Sequence, residues 1–345
     1  MVNFCPLYSD LDILLQGSLQ RGTAQRIQSR APTQMNANGL SLNGVSPGIA
    51  IAPPRTSSWA AQRHEFILTL SCPDAKGVVF RVAAVLFEQG CNILDSAQFC
   101  DPETGLFFMR VHVECPPSLS TDAFSNAFSG LAESHQMQWQ FTPAHHKLKV
   151  LVLVSKSGHC LNDLLFRAAN GKLAIEVVGV ASNHRDFESL VSHYNLDFHH
   201  LPITADTKPQ QEAALQTLAE STGAELIVLA RYMQILSPTL CAAWSGKAIN
   251  IHHSFLPSFK GAKPYAQAFA KGVKIIGATS HYVTSDLDEG PIIEQDIERV
   301  DHTLDAEALS QIGADIESRV LARAVKWHAE RRILLNGKKT VVFRS

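Results

Sequence analysis

The stretch Leu148-Lys149-Val150-Leu151-Val152-Leu153-Val154 is apolar at every position but one, on both faces of the extended chain that it implies. A strand with one solvated face alternates polar and apolar residues. One that is apolar on both faces belongs in a parallel sheet covered by helices on each side. Downstream the pattern alternates: helix over 159–169, strand over 175–181, helices over 186–194 and 209–221, then buried strands over 225–230 and 248–251. This repetition predicts a doubly wound, mostly parallel α/β domain. Such sheets bind ligands beyond the carboxyl ends of their strands, so the loops after Val154, Ala230 and Ile251 are the places to look for chemistry.

Upstream the periodicity differs. Residues 64–72, 92–99, 106–113 and 137–141 read as strands, and 77–88 and 122–134 as amphipathic helices. The order βαββαβ predicts a ferredoxin-like sandwich. Residues 1–62 hold no Lys, four Arg and only Asp10 and Asp12 as acids among many Ser, Gly, Asn, Gln and Pro. They read as a disordered leader, with an organelle transit peptide as the alternative. The expected organisation is a leader over 1–62, a small domain over 63–143 and a larger one over 147–345.

The 345 residues are 46% hydrophobic and 18% charged, with a formal net charge of −2. That balance gives no broad positive field for nucleic acid or an anionic membrane, and favours a small-molecule partner. No apolar run reaches the roughly 18–20 residues of a membrane span. Seven cysteines at scattered spacing fit neither a disulfide scaffold nor a CxxC zinc site, and suit a reducing, cytoplasmic compartment. No metal is expected, because the His pairs 199/200 and 252/253 also lack zinc-ligand spacing.

Three segments carry chemistry. In INIHHSFLP (249–257) strand alternation puts Asn250 and His252 on one side, where an amide donor and an imidazole can act together in acyl transfer. In HYVTSDLDEGP (281–291) Asp288 is the carboxylate able to orient His252. LARYMQIL (229–236) mixes apolar side chains with exposed backbone, a surface for a flat heteroaromatic ring. Each taken alone reads more readily as a strand-end polar group, a solvated turn or core packing, respectively.

In this order the segments resemble the formyltetrahydrofolate-dependent formyltransferase fold, whose Asn-x-His and HxVTxxxDxGPI signatures match Asn250, His252, His281, Val283, Thr284, Asp288, Gly290, Pro291 and Ile292. Within that fold, SKSGHCLNDLL (155–165), FKGAKPY (259–265), IGATSHYVT (276–284), LDEGPIIEQ (287–295) and KTVVF (339–343) resemble the formyltetrahydrofolate deformylase family. The resemblance covers roughly residue 64 to the C-terminus. It implies hydrolysis of 10-formyltetrahydrofolate to tetrahydrofolate and formate, with no cofactor. Asn250 would bond the formyl oxygen, His252 would stabilise charge and move a proton, and Asp288 would orient His252 and hold the attacking water. Met233, Gln234, Ile235, Leu236 and Thr284 would receive the pterin. Where related glycinamide ribonucleotide transferases cradle a phosphate, this chain has Ser155-Lys156-Ser157-Gly158-His159-Cys160, in which only Gly158 could serve. A transferase to another amine and a catalytically silent sensor are the competing readings.

The segment Asp74-Ala75-Lys76-Gly77-Val78-Val79, with Asn92-Ile93, resembles the DxxGxV region of ACT domains, regulatory modules that often bind amino acids where two of them meet. The resemblance implies an amino-acid effector contacted at Asp74, Gly77 and Asn92, and a homo-oligomer. On the residues alone, an N-capped helix with Asp74 as cap is an equal reading.

Overall fold

The structure, a computed structural model, describes residues 64–256 and 264–344. The expected leader and most of FKGAKPY lie outside the described residues.

The N-terminal domain is built from β1 (Glu65–Pro73), α1 (Val78–Glu88), β2 (Asn92–Asp101), β3 (Leu106–Glu114), α2 (Thr121–Ser134) and β4 (Gln138–Pro143). Its sheet is antiparallel with order β2-β3-β1-β4. Val78, Val82 and Leu86 of α1 recur every four residues, so one face of the helix is apolar. With Phe124 and Phe128 of α2 they close the core over Leu68, Leu70 and Val111. Ser120 starts α2 by accepting a hydrogen bond from the Ala123 amide at 3.1 Å, an N-cap that offsets one of the helix's unpaired donors.

The larger domain runs β5 (Leu148–Val154), α3 (His159–Ala169), β6 (Ile175–Ser182), α4 (Glu188–His193), β7 (Phe198–His200), α5 (Lys208–Thr222), β8 (Leu226–Leu229), α6 (Pro238–Ala243) and β9 (Ala248–His252). It continues through α7 (Pro264–Lys271), β10 (Ile275–Tyr282), β11 (Ile292–Arg299), α8 (Ala306–Ala329) and the hairpin β12 (Ile333–Asn336) and β13 (Lys339–Val342). The seven-stranded sheet has order β11-β10-β9-β8-β5-β6-β7. It is parallel from β9 to β7 and antiparallel at β9-β10-β11.

β5 shows why the sheet is covered on both faces. Leu148, Val150, Val152 and Val154 enter one apolar cluster with α3 and α8, while Leu151 and Leu153 enter the other with α5 and α6. Each of these side chains is essentially fully buried, a gain of roughly 1.5–3 kcal/mol apiece. The same period of two sets the site. Ile249 and Ile251 of β9 face the α8 cluster and Ala248 the other, so Asn250 and His252 share Ala248's side of the sheet.

Sequence reasoning stops short of α8, a 24-residue helix capped by Asp305, whose carboxylate accepts from the Ala308 amide at 2.8 Å. Its buried Leu309, Gly313, Ile316, Val320 and Val325 recur at helical spacing and pack on β10 and β11. The β12–β13 hairpin is tied back to the N-terminal domain: Asn336 Nδ2 donates to Asp101 Oδ2 at 2.6 Å, and Lys339 pairs with Glu103. The Arg110 guanidinium donates to the Glu330 carbonyl at 3.2 and 3.3 Å, joining β3 to the end of α8.

Candidate active site

At the carboxyl ends of β8 and β9 lies a cavity of about 340 Å³. Three pieces of chain supply most of its wall, Leu229 and 231–236 at and beyond the end of β8, Asn250 to His253 at the end of β9, and Val283 to Ser285 with Leu287 and Asp288 after β10; Cys241 and His281 complete it. The third piece crosses to the second because β10 pairs antiparallel with β9, setting His281 opposite Asn250 and Thr279 opposite His252.

Asn250, His252 and Asp288 come together here. His252 Nδ1 lies 3.2 Å from Asp288 Oδ1, and both side chains are almost fully enclosed. His252 Nε2 is buried and has no hydrogen-bond partner, on a side chain that lines the cavity. The His253 ring stacks on His252 at 5.0 Å and 14° between planes, fixing the imidazole from one side. Asp288 itself sits at φ 59°, a left-handed conformation in which few non-glycine residues rest. Gly290 just beyond it packs against the Tyr282 carbonyl so closely that a Cβ would lie 1.7 Å from that oxygen.

His281 is a member of the site to which sequence reasoning gave no role. Its Nδ1 lies 2.8 Å from the Tyr282 carbonyl, so the proton sits on Nδ1, and the Nε2 lone pair then faces Asn250 Nδ2 at 3.3 Å. That contact uses one amide hydrogen of Asn250 and leaves the second for a ligand. His281 Nε2 also lies 3.7 Å from Asp288 Oδ1. Burial pushes the Asp288 carboxyl up, but the hydrogen bond and charge of His252 outweigh it and hold the group well below the usual carboxylate range. The set can donate a hydrogen bond to a carbonyl oxygen, transfer a proton at His252 Nε2 and hold a fixed negative charge beside both.

Met233, Gln234, Ile235, Leu236 and Thr284 all line the cavity. Met233 and Ile235 are more than half exposed although apolar, as is Leu287 across from them, so apolar surface stands open on two walls. Gly158 lies beneath the Phe187 ring, where an added Cβ would fall 2.2 Å from a ring carbon. Its place in the loop after β5 is a packing position.

A second buried group lies behind Arg231. Glu317 of α8, 1% exposed, meets His159 Nε2 at 2.7 Å and accepts from the Tyr265 hydroxyl at 2.6 Å, and it forms an ion pair with Arg231, whose Nε lies 3.3 Å away without making a hydrogen bond. With His159 and Cys160 it also forms the one His/Cys/Asp/Glu group among the described residues with ligand atoms close enough for a metal ion, all within 4.8 Å of one another. Burial pushes the Cys160 thiol well up, and the Glu317 oxygens are already committed to His159, Tyr265 and Arg231. The donor set therefore suits an internal ion pair better than a metal. Sequence spacing gave no sign of it, because its members come from four separate elements or loops.

The sequence-predicted effector residues do not converge within the chain. Gly77 is the N-cap of α1 at φ 87°, with no side-chain cap bond, and Asn92 opens β2 beyond the other end of that helix. The 11 residues of α1 put about 16 Å between those ends. Asp74, Gly77 and Asn92 are all exposed. Asp74 is not the cap of α1.

The architecture is matched in known proteins. A Formyl transferase family model matches residues 148–325, more than half of the chain, and an ACT domain model matches residues 66–122. The chain is therefore an ACT domain joined to a formyl transferase domain. It is 52% identical over 284 residues to a formyltetrahydrofolate deformylase of Corynebacterium sp. (strain P-1), covering 82% of this chain and 98% of that one. The crystal structure of a formyltetrahydrofolate deformylase from Burkholderia mallei matches with a TM-score of 0.78 at 52% identity, over 81% of this chain and all of the other. Glycinamide ribonucleotide transformylase 1 from Symbiobacterium toebii matches more distantly, with a TM-score of 0.55 at 30% identity, over 58% of this chain and 95% of that one. The chain belongs to the formyltetrahydrofolate deformylase family.

Proposed function

We propose that the protein hydrolyses 10-formyltetrahydrofolate to tetrahydrofolate and formate. The observation that carries this reading is His252, held at Nδ1 by an ionised Asp288 while its buried Nε2 is without a partner beside Asn250. The folate lies in the cavity, its pterin between the 233–236 wall and the loop carrying Thr284. The free amide hydrogen of Asn250 bonds the formyl oxygen as it gains negative charge. A water held by Asp288 adds to the formyl carbon, the bond from that carbon to N10 breaks and N10 takes a proton from His252, while one proton of the water restores His252 and the other passes to solvent as formate ionises. No cofactor is required. Formate made this way would supply purine synthesis and adjust the balance of one-carbon folates.

The ACT domain carries the regulatory part of the proposal. An amino-acid effector that touches both Gly77 and Asn92 needs two copies of the domain, since one copy holds them at opposite ends of α1. The edge strand β2 is exposed along most of its length, and Phe80 and Phe87 of α1 are 76% and 81% exposed, surface suited to a second copy. A homo-oligomer in a reducing, cytoplasmic compartment fits this surface and the six described cysteines, all free thiols. No described helix is long and apolar enough to cross a membrane.

The test is product stoichiometry from purified protein and 10-formyltetrahydrofolate with no amine present. Equimolar formate and tetrahydrofolate are expected, and intact folate binding without release would overturn the proposal.

A further inference from the structure

The Glu317 group lies in a telling place. β8 neighbours both β9, which carries Asn250 and His252, and β5, so the space beyond the carboxyl ends of β5 and β8 adjoins the reacting atoms. Sheets of this kind bind ligands beyond those ends, so this is a place where a second substrate would reach the formyl carbon. That space holds the chain's own side chains instead. Arg231 follows β8 at φ 64° and lines the cavity, its guanidinium ion-paired with Glu317 while both Nε and Nη1 are buried and without a hydrogen-bond partner. His159, the first residue of α3 after the β5 loop, meets the same carboxylate, and so does Tyr265 from α7. Gly313 makes room for Tyr265: a Cβ there would lie 2.1 Å from the phenol ring.

The backbone holds the arrangement in register. Ser155 N donates to the Arg231 carbonyl at 3.2 Å, and the Met233 amide donates to Ser155 Oγ at 3.0 Å, so the β5 and β8 loops are laced together. Burial pushes Glu317 up, but bonds from His159 and Tyr265 and the Arg231 charge leave it lower than an ordinary carboxyl, and burial keeps the Tyr265 hydroxyl protonated as a donor.

We propose that Glu317, holding Arg231 in place together with His159 and Tyr265, closes the side of the site that an amine acceptor would need, and so confines formyl transfer to water. Glu317, His159 and Tyr265 act as positioning residues, and Arg231 is the plug. The inference rests on the deformylase reading. In a chain without the plug, an amine nitrogen would add to the formyl carbon, the bond to N10 would break, and one amine proton would end on N10. The products would be a formamide and tetrahydrofolate, with no other reactant.

The experiment offers glycinamide with 10-formyltetrahydrofolate to the full chain and measures the ratio of N-formylglycinamide to formate, corrected for the reaction without protein. Wild type is expected to give formate alone. Arg231→Gly, which suits the positive φ, is expected to raise the ratio about tenfold or more, and Glu317→Gln, which frees Arg231, by a smaller factor. An unchanged ratio in both folded variants would overturn the inference. So would loss of both products in both folded variants, since the group would then serve the deformylation chemistry itself. Absence of formate from wild type would instead overturn the deformylase reading.

Discussion

The two regions proposed to take ligands are built on opposite plans. At the end of β9 the polar residues are buried or half-buried, bonded to one another and aimed into a cavity: Asn250 to His281, His252 to Asp288, with the apolar rim of Met233 and Ile235 above them. At the α1 turn, Asp74, Gly77 and Asn92 are exposed and separated by the length of a helix. Burial makes each polar contact of the first region strong and each loss costly, because an orphaned partner remains in a low-dielectric site. The second region can acquire such properties only by adding surface from another molecule.

This contrast sets an order of effects. Asp288→Ala should lower turnover by roughly three orders of magnitude or more while changing folate affinity only a few-fold, because orienting His252 and holding water matter mainly in the transition state. Steady-state kinetics beside equilibrium binding checks this, and surviving activity would erase the distinction between the two regions. Asn250→Ala should cost about 10²–10³ in kcat, the scale of one lost oxyanion donor. A rise in KM alone would instead make Asn250 a binding group.

A third prediction concerns the seam beneath the catalytic loop. Tyr282, next to His281, has its hydroxyl 2.7 Å from His328 Nδ1, and burial, aided by the Arg331 charge, depresses the His328 pKa to about 4. The unfolded chain takes up this proton near pH ~6.5 and the folded chain only near the lower value, so stability is full at neutral pH and declines between them as pH falls. The loss should approach about 2 kcal/mol, allowing for partial exposure of the ring. Urea unfolding at neutral and mildly acidic pH measures it, and His328→Phe should flatten the dependence. The smallest effect belongs to the exposed turn. Gly77→Ala meets open space but must adopt φ 87°, so it should cost about 1 kcal/mol, read as a drop of a few degrees in Tm.

The same contrast explains what could be read from the sequence. The period of two in 148–154 and 248–252 is a local signal, so the buried sheet and the shared side of Asn250 and His252 were both legible. Asp288 was legible as a carboxylate in the loop after a strand and through the HxVTxxxDxGPI resemblance, while its approach to His252 depends on the antiparallel β9–β10 pairing. His281 and Glu317 act through partners far along the chain, Glu317 being 158 residues from His159, and no local period encodes such a meeting. The strand and helix pattern of the ACT domain was likewise local. The distance between Gly77 and Asn92 follows from the helix standing between them, which a motif of residue types does not express.

The most direct test of the central claim, that water is the acceptor, is a single turnover of 10-formyltetrahydrofolate in oxygen-18 water. The account predicts formate carrying one heavy oxygen, released together with tetrahydrofolate. Formate without the label, or tetrahydrofolate formed without formate, would contradict it.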